Sequence, residues 1–282
     1  MNLTDIREVK ALLARHGFHF SKSMGQNFLI ADWVPRDIAV AAGLDETCAV
    51  LEIGPGIGSL TQHLDRRSGR VAAVELDVSL LPILNETLAD YSNVEIILAD
   101  ILNLDLNVLI DDRFFGFTPM VCANLPYNIT TPVLTRLLEC GRFRSITVMI
   151  QREVARRICA APGTPDCGAF SLFCQYYARC EHLLDVPPDC FLPAPKVTSA
   201  VVQLIPHSTP PVEGDRDTIF AVVNAAFAQR RKTLLNALSS AYGSRFSKDE
   251  LRRMILDCGL SETVRGERLG LAQFSELAKY LK

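Results

Sequence analysis

The sequence predicts an α/β fold: a mostly parallel sheet covered by helices on both faces, followed by a small all-helical C-terminal domain. Two patterns indicate this class. Up to about residue 150, short apolar runs of strand length alternate with amphipathic segments of helical length, which is typical of parallel strands joined by crossover helices. From residue 218 onward the apolar residues recur with helical spacing, so a helical domain is expected there.

The strands of the predicted sheet are short apolar runs with amphipathic segments between them. Parallel strands are expected at Ala49–Ile53, Arg70–Leu76, Val94–Ala99, Met120–Ala123 and Ile146–Ile150. Two later runs, Glu181–Val186 and Ser199–Ile205, flank a proline-rich stretch. This last pair is expected to form an antiparallel hairpin.

An N-terminal helix is predicted near residues 5–16, with Thr4 as its cap. The segment Ser21–Leu29 has no periodicity and is expected to be a structured loop, and another helix is expected at Val34–Ala42. These elements extend the predicted sheet domain at its N-terminal side.

The run Pro206–Asp217 has the composition of a linker. The chain is therefore predicted to contain one domain at residues 1–206 and a second at residues 207–282. Helices of the second domain are expected at Thr218–Ser240, Lys248–Cys258 and Leu271–Leu281.

Composition excludes several classes of protein. The chain has 282 residues, of which 49% are hydrophobic and 22% charged, enough apolar material for a packed core. No apolar run approaches the roughly 18 residues of a membrane span. The nine cysteines include no C-x-x-C pair, so neither zinc nor a disulfide framework is expected, and their number fits a reducing cytoplasm. Nothing in the sequence indicates an oligomer, so a monomer is expected.

The net charge of −3 conceals an asymmetry between the two predicted domains. Residues 207–282 contain 12 lysine and arginine residues against 9 aspartate and glutamate residues, a net charge of +3, whereas residues 1–206 contain 17 against 23, a net charge of −6. Because a phosphate-binding surface needs only a local basic patch, the average charge does not exclude a nucleic-acid partner.

A glycine loop and two acidic residues mark the ends of the first three predicted strands. Gly54 and Gly56 let the backbone turn tightly and approach a ligand, Glu75 can accept both ribose hydroxyls of an adenosine, and Asp100 can accept the adenine amino group. The G-x-G-x-G spacing departs from the dinucleotide motif because Ser59 stands where a glycine is expected. An adenosine-containing ligand is therefore predicted, with solvated strand ends as the alternative for each carboxylate alone.

The run Asn124-Leu125-Pro126-Tyr127 follows the fourth predicted strand. Pro126 lacks a backbone donor and pushes Leu125 toward an extended conformation, which leaves carbonyl oxygens without helical partners. An amide oxygen and a free carbonyl together can accept both hydrogens of one amino group, and an aromatic ring can stack on a base. The run therefore suits chemistry on the exocyclic amine of a nucleobase, although a proline that merely ends a strand would look the same.

The ordered set of motifs resembles the small-subunit ribosomal RNA adenine dimethyltransferases of bacteria over nearly the whole chain. The segments that carry the resemblance are GQNFL at Gly25, LEIGPGIGSLT, VELD, NLPYNITTP, FLPAPKV with Ser199, and FAQRRKTL from Phe227. The macrolide-resistance RNA methyltransferases share the front half, but the FAQRRKTL run looks more like the ribosome-biogenesis branch. The chain has N-L-P-Y where DNA amino-methyltransferases commonly have D-P-P-Y. This difference argues against the alternative of a DNA amino-methyltransferase.

The resemblance implies a seven-strand Rossmann-like class I methyltransferase sheet, S-adenosylmethionine as cofactor with S-adenosylhomocysteine as product, and no metal. It implies a substrate of two adjacent adenosines in the hairpin loop near the 3′ end of small-subunit RNA, each methylated twice during 30S ribosome biogenesis. Cofactor contacts are expected from Gln26, Asn27, Leu29, Gly54, Gly56, Glu75, Leu76, Asp100, Ile101 and Asn124.

For the target base, Asn124 and Leu125 are expected to orient the amine, with Tyr127 and Phe191 as stacking plates; for Phe191 the alternative is a loop anchor. RNA contacts are expected from Lys22, Arg152, Arg230, Arg231, Lys232, Arg252 and Arg253, with Arg156 and Arg157 as secondary candidates near the cleft. The alternative for the basic run is a solvated helix face. The alternative from a different functional class is a protein that acts chiefly as an assembly factor, with methylation as a secondary activity.

Overall fold

The computed structural model describes residues 1–21 and 24–281 of the chain. Lys22, one of the predicted RNA contacts, lies outside the described residues. In chain order, the strands are β1 (Phe28–Leu29), β2 (Cys48–Ile53), β3 (Arg70–Glu75), β4 (Val94–Leu98), β5 (Thr118–Asn124), β6 (Ile146–Gln151), β7 (Ala178–Val186), β8 (Phe191–Leu192) and β9 (Ser199–Pro206).

The helices accompany these strands and then continue alone to the end of the chain. They are α1 (Ile6–Arg15), α2 (Trp33–Ala41), α3 (Thr61–Asp65), α4 (Leu81–Thr87), α5 (Leu106–Arg113), α6 (Thr130–Cys140), α7 (Arg152–Ile158), α8 (Ala169–Tyr177), α9 (Arg216–Ala228), α10 (Leu234–Tyr242), α11 (Lys248–Asp257) and α12 (Leu271–Tyr280).

Within the described residues, seven strands form one mixed sheet in the order β4-β3-β2-β5-β6-β9-β7. The strands from β4 to β6 pair in parallel, whereas β9 pairs antiparallel with β6. The sheet and its antiparallel last hairpin confirm the predicted fold class. The remaining strands, β1 and β8, form a separate antiparallel pair, which the sequence analysis placed within loops.

The order of the strands reverses between β2 and β5, since the chain first builds outward through β3 and β4 and then returns to the other side of β2. Ligands of open α/β sheets bind in the crevice that such a reversal leaves at the carboxyl ends of the strands. Backbone hydrogen bonds align these ends: Gly54 N donates to the Val74 carbonyl at 2.9 Å, and Leu125 N to the Met149 carbonyl at 3.0 Å. The predicted site residues thus share one edge of the sheet.

Apolar side chains on both faces of the central strands explain why the sheet forms. Every residue of β2 is buried, as is typical of parallel strands covered on both faces. On one face, Cys48, Val50 and Cys122 pack against Ile38 of α2 and Leu64 of α3. This burial fixes the register of the central strands, because a slip by one residue would exchange the two faces.

The described chain divides into two compact units, Met1–Ala155 with Cys180–Pro206, and Arg156–Arg179 with His207–Lys282. The change of unit after Pro206 coincides with the predicted domain boundary. The segment 156–179 differs from the prediction, which assigned it to the first domain. The physical reason is its apolar side chains, since Cys167 and Leu172 are buried in one cluster with residues of α9 to α12.

The helix predicted at 218–240 is wrong as a single element. The structure instead has α9 and α10, separated by Gln229–Thr233, which we term the basic turn. Gln229 leaves the helical conformation at φ −128° and ψ 60°, and Thr233 caps α10 by accepting a hydrogen bond from Asn236 N. A second correction concerns α1, whose cap is Asp5 rather than Thr4.

Candidate active site

The loop after β2 turns tightly because its glycines adopt the left-handed backbone conformation. The φ angle is 67° at Gly54 and 61° at Gly56, values that residues with a Cβ rarely adopt. A Cβ at Gly56 would also come within 3.0 Å of the Phe28 ring. Backbone atoms of this loop can therefore approach a ligand closely.

A cavity with about 650 Å³ of empty space opens beside this glycine loop. Residues 24–29, the glycine loop, Glu52, Glu75 and residues 124–127 line it, and we term it the first cavity. The structure thus brings the GQNFL, glycine-loop, VELD and NLPY segments together around one space.

Glu75 is a buried carboxylate held by backbone amides. Its Oε1 accepts hydrogen bonds from Leu76 N at 2.8 Å and Asp77 N at 2.9 Å, and its Oε2 accepts a longer one from Gly56 N at 3.4 Å. Burial raises the pKa of Glu75, and the amide donors partly oppose that rise. Because Oε2 receives only the long bond, it keeps acceptor capacity for a ligand hydroxyl.

A second cavity, with about 510 Å³ of empty space, lies on the other side of Glu75. Leu76, Ile101 and Ile129 give it apolar walls, and Asp100 adds a carboxylate. Leu76 is 54% exposed, an unusual state for an apolar side chain at the end of a buried strand. Apolar walls together with the Asp100 carboxylate suit a flat heterocycle that carries an amino group.

The carboxylate of Asp100 is oriented by its own turn. Oδ1 accepts from Leu102 N at 2.8 Å, and Oδ2 accepts from Asn103 Nδ2 at 2.9 Å. Each oxygen has a lone pair beyond these bonds. Asp100 is thus held in place and can still accept a hydrogen bond from a ligand.

Asn124 ends β5 and lines the first cavity. Its Nδ2 donates to the Asn27 carbonyl at 3.4 Å, which leaves Oδ1 as the acceptor that faces no donor among the described residues. Likewise, the Leu125 carbonyl accepts no hydrogen bond from them, because the ladder between β5 and β6 ends with the bond from Leu125 N. The arrangement provides the two acceptors that the sequence analysis expected.

Tyr127 lines the first cavity three residues further along the chain. Its hydroxyl is 2.6 Å from Ser199 Oγ, and burial raises its pKa. Ser199 belongs to a motif quoted in the sequence analysis but received no role there. The hydrogen bond restricts how the Tyr127 ring can turn.

Phe191 lies apart from both cavities. Its ring is 2% exposed and packs in the apolar cluster beneath the sheet with Val34 and Ile38. In addition, Phe191 pairs with Leu29 in the β1–β8 ladder. This position favours the loop-anchor interpretation, since a stacking plate must expose a face; stacking on a base stays a prediction that requires the ring to leave the core.

The loop at residues 24–27 contacts both Asp77, which follows β3, and the NLPY turn. Gln26 Nε2 donates to Asp77 Oδ2 at 2.6 Å, and Asn27 Nδ2 donates to the Gly25 carbonyl at 2.9 Å. A Cβ at Gly25 would lie 3.3 Å from Asn128 Oδ1, so this loop packs directly on the NLPY turn. Gln26, Asn27 and the buried Leu29 all line the first cavity.

Glu52 is a site residue that the sequence analysis missed. It is 1% exposed, and its Oε2 has no hydrogen-bond partner among the described residues. Burial raises the pKa of Glu52 to about 8, the nearby Glu75 adds to the rise, and the Thr61 hydroxyl opposes it. The signal was present in the sequence, since Glu52 is the single charged residue of an otherwise apolar strand.

The basic turn uses its cations in different ways. The Arg230 guanidinium donates to the carbonyl oxygens of Pro165 and Cys167, and its Nε is 3.2 Å from Glu267 Oε2. In contrast, Arg231 and Lys232 are exposed, and their side chains form no hydrogen bond or ion pair within the described residues. Within the basic turn, these two side chains are the ones left available for phosphate contacts.

The other predicted RNA contacts are mostly paired with carboxylates. Arg252 Nε is 2.6 Å from Glu262 Oε1, and Arg152 Nη1 is 3.4 Å from Asp185 Oδ2. The remaining predicted cations are exposed: Arg253, Arg157 and Arg156, the last of which pairs with Asp166 at 3.3 Å. Exposed ion pairs of this kind exchange readily for other anions because each contributes little.

Residues 1–21 and 24–281 contain neither a membrane-spanning helix nor a cluster of metal-ligating side chains. No helix in this part of the chain is long and apolar enough to span a membrane. In the same residues, no group of three or more histidine, cysteine, aspartate or glutamate side chains is arranged to hold a metal ion.

The sheet order, the antiparallel last hairpin and the glycine loop are those of the class I methyltransferases. Two solved structures share this fold. The 23S rRNA methyltransferase ErmE superposes with a TM-score of 0.70 at 24% identity, covering 90% of this chain and 99% of that chain. A dimethyladenosine transferase from Plasmodium falciparum superposes with a TM-score of 0.72 at 23% identity, covering 87% and 94%.

Sequence comparison narrows the class to one family. A family model described as "Ribosomal RNA adenine dimethylase" matches residues 17–282. A "Ribosomal RNA small subunit methyltransferase A" from Alkaliphilus metalliredigens (strain QYMF) is 47% identical over 274 residues, covering 96% of this chain and 95% of that protein. One from Geobacillus thermodenitrificans (strain NG80-2) is 46% identical over 276 residues, covering 96% and 94%. The chain belongs to the ribosomal RNA adenine dimethylase family, which confirms the predicted resemblance.

Proposed function

We propose that this chain uses S-adenosylmethionine to dimethylate the exocyclic amines of two adjacent adenosines in the 3′-terminal hairpin loop of small-subunit rRNA. The names of its Alkaliphilus and Geobacillus relatives support the class of RNA. The observation that carries the proposal is the pair of acceptors in the first cavity, Asn124 Oδ1 and the Leu125 carbonyl, neither of which receives a donor from the described residues.

The residues of the two cavities fit S-adenosylmethionine. This cofactor bears a sulfonium, an ammonium and two ribose hydroxyls, and the first cavity offers the unpartnered buried Glu52 Oε2 together with Glu75 Oε2. Leu76, Ile101 and Asp100 of the second cavity would hold its adenine. When bound, the cofactor supplies the methyl group on its sulfonium.

Asn124 and Leu125 would prepare the amine of the target base. The lone pair of an adenine amine is delocalised into the ring, which makes the amine a poor nucleophile. If Asn124 Oδ1 and the Leu125 carbonyl accept its two hydrogens, the nitrogen pyramidalises and its lone pair becomes available. This is catalysis by positioning and electrostatics, and it requires no strong base.

Tyr127 would hold the unstacked base. Stacking of a base on an aromatic ring contributes about 1–3 kcal/mol, comparable with the cost of drawing the base out of its stack. After the first transfer, the amine has one hydrogen left, so one of the two acceptors is no longer used. The second transfer therefore needs space for a methyl group beside Asn124 or Leu125.

Replacement of Asn124 tests the mechanism. We expect Asn124→Ala to lower single-turnover methylation of unmethylated small subunits at least 100-fold while leaving the cofactor dissociation constant within about twofold, because the amide positions the base; a 100-fold loss corresponds to about 2.7 kcal/mol. The exposed Asn107 on α5 offers a matched control, Asn107→Ala. Unchanged turnover of Asn124→Ala would remove the mechanism.

The substrate is tested by offering labelled S-adenosylmethionine with unmethylated small subunits, large subunits and DNA, and mapping where the label lands. Label on N6,N6-dimethyladenosine in the 3′-terminal hairpin of small-subunit RNA is the expected result. Label on large subunits or DNA would instead favour one of the rival methyltransferases. Neither outcome depends on which residues carry the mechanism.

We further propose that the substrate particle is an immature 30S subunit, that the enzyme acts as a cytoplasmic monomer, and that Arg231 and Lys232 contact phosphates of the RNA. The exposed, unpaired state of these two side chains supports the last point.

Growth of an Asn124→Ala strain compared with a deletion strain separates methylation from a role in assembly: equal defects favour methylation, and a milder defect of Asn124→Ala favours assembly.

A further inference from the structure

The segment from Phe191 to Ser199 contacts the walls of the first cavity at both of its ends. At one end, Leu192 pairs with Phe28 and Phe191 with Leu29, directly after the loop that carries Asn27. At the other end, Ser199 opens β9, opposite Gln151 at the end of β6. The segment therefore joins the loop at residues 24–27, through the β1–β8 pair, to the NLPY turn, through Ser199.

At the second end, Ser199 has a specific partner in the cavity wall. It is 0% exposed, and its Oγ lies 2.6 Å from the hydroxyl of Tyr127. A buried serine hydroxyl without a partner would carry a desolvation cost, and a tyrosine places its polar tip on such a partner while its ring packs elsewhere. The bond thus anchors the tip of the Tyr127 ring to the rigid sheet rather than to a loop.

The backbone around Tyr127 does not by itself fix the ring. Tyr127 lies in the turn between β5 and α6 and is partly exposed. Rotation about its side-chain torsions would move the ring relative to Asn124, the proposed acceptor for the amine. The hydroxyl contact with Ser199 opposes this rotation at the atom furthest from the backbone.

We propose that Ser199 is a positioning residue that acts through the Tyr127 hydroxyl to hold the ring in the plane required for the target base. The proposal rests on the proposed function, since it assumes that a base stacks on Tyr127. Ser199 itself is not among the residues that line either cavity. Its loss should therefore affect methyl transfer rather than the binding of S-adenosylmethionine.

A double-mutant cycle tests this proposal in the full-length protein. We expect Ser199→Ala and Tyr127→Phe each to slow single-turnover methylation of unmethylated small subunits about tenfold, and the double variant to be no slower than either, because each change breaks the same bond. The cofactor dissociation constant should stay within about twofold. The matched control is Ser145→Ala, because Ser145 is also buried but its hydroxyl has no hydrogen-bond partner among the described residues.

Three results would overturn the role of Ser199: a wild-type rate for Ser199→Ala, losses that multiply in the double variant, or a loss of cofactor affinity equal to the loss of rate. If Ser199→Ala lowers the melting temperature and the rate together while Tyr127→Phe changes neither, the role is structural and the proposal is wrong. Failure of the proposed function looks different, because the wild-type protein itself would then leave small-subunit adenosines unmethylated.

Discussion

The carboxyl edge of the sheet and the basic turn between α9 and α10 both carry charged residues that the sequence singled out, yet they use them differently. At the sheet edge, Glu75 is bound by backbone amides and keeps acceptor capacity toward a cavity. In the basic turn, Arg230 donates hydrogen bonds to carbonyl oxygens of its own unit, whereas the neighbouring Arg231 is exposed.

Position in the fold determines the role of a residue differently in the two regions. At the end of a parallel strand, the topology alone places a side chain at the crevice, so the residue type predicts the function. In a turn between helices, adjacent residues point in different directions. Their roles then depend on which carbonyls and carboxylates the rest of the unit places nearby, and Arg230 and Arg231 differ for that reason.

The largest effect should come from Glu75. We expect Glu75→Ala to weaken binding of S-adenosylmethionine about 100-fold or more by calorimetry, since a buried charged acceptor is lost. Glu75→Gln keeps one acceptor oxygen for the amides of Leu76 and Asp77 and should lose about tenfold. Unchanged affinity in both variants, with an unchanged melting temperature, would mean that Glu75 does not bind the cofactor.

A smaller effect should separate Arg230 from Arg231. We expect Arg230→Gln to lower the free energy of unfolding by about 1–2 kcal/mol, because carbonyl groups of Pro165 and Cys167 lose a charged donor, and Arg231→Gln to change it by less than about 0.5 kcal/mol. Conversely, Arg231→Gln should reduce the slope of log K against log salt for binding to small subunits by about 1. If the two variants behave alike in both measurements, the distinction drawn within the basic turn is wrong.

A pH-dependent effect concerns Glu52, whose pKa burial raises to about 8. Between the ordinary glutamate range and that value, the folded protein keeps a proton that the unfolded chain releases. The free energy of unfolding should therefore fall as pH rises through this window, with Glu52 contributing up to about 1.4 kcal/mol per pH unit, and level off above about pH 8. The pKa of Glu75 is also raised, so the contribution of Glu52 is the difference between wild type and Glu52→Gln.

Denaturant unfolding from pH 5 to 9 checks this prediction. The Glu52→Gln variant should show a flatter pH dependence than the wild-type protein, and its cofactor affinity should fall by only a few fold. Parallel curves for the two proteins would mean that Glu52 ionises at its ordinary pKa and that the unpartnered Oε2 has no influence on stability.

The sheet could be predicted from the sequence because its signals are local and repeated. Apolar runs mark β2 to β6, and the glycines and carboxylates fall where those runs end. The same runs therefore predicted both the strand ends and the candidate site residues. The β1–β8 pair escaped prediction because each strand has only two residues, too few for any periodicity. The break between α9 and α10 was missed because the apolar spacing continues across it and a Thr cap inside a basic run is an inconspicuous stop signal.

The sequence alone could not decide the role of a residue where that role depends on long-range packing. Phe191 was expected to be a stacking plate, and its alternative as a loop anchor could be decided only by the side chains that surround it in the fold. Glu52 was overlooked because it stands next to the glycine loop and was treated as part of that motif. Its burial in a fully covered strand nevertheless disfavours its charged form. The partners of Arg230 lie far away in the sequence and leave no local trace.

The pairing of β1 with β8 also bears on how the chain matures during its own synthesis. Phe28 and Leu29 leave the ribosome early, whereas their partners Leu192 and Phe191 emerge only after most of the first unit has been made. Contacts between such distant positions form late, since long loops must close first. A nascent chain should therefore acquire the final form of the loop at residues 24–27 only once residues 191 and 192 are available, so ligand binding would report that synthesis has passed these residues.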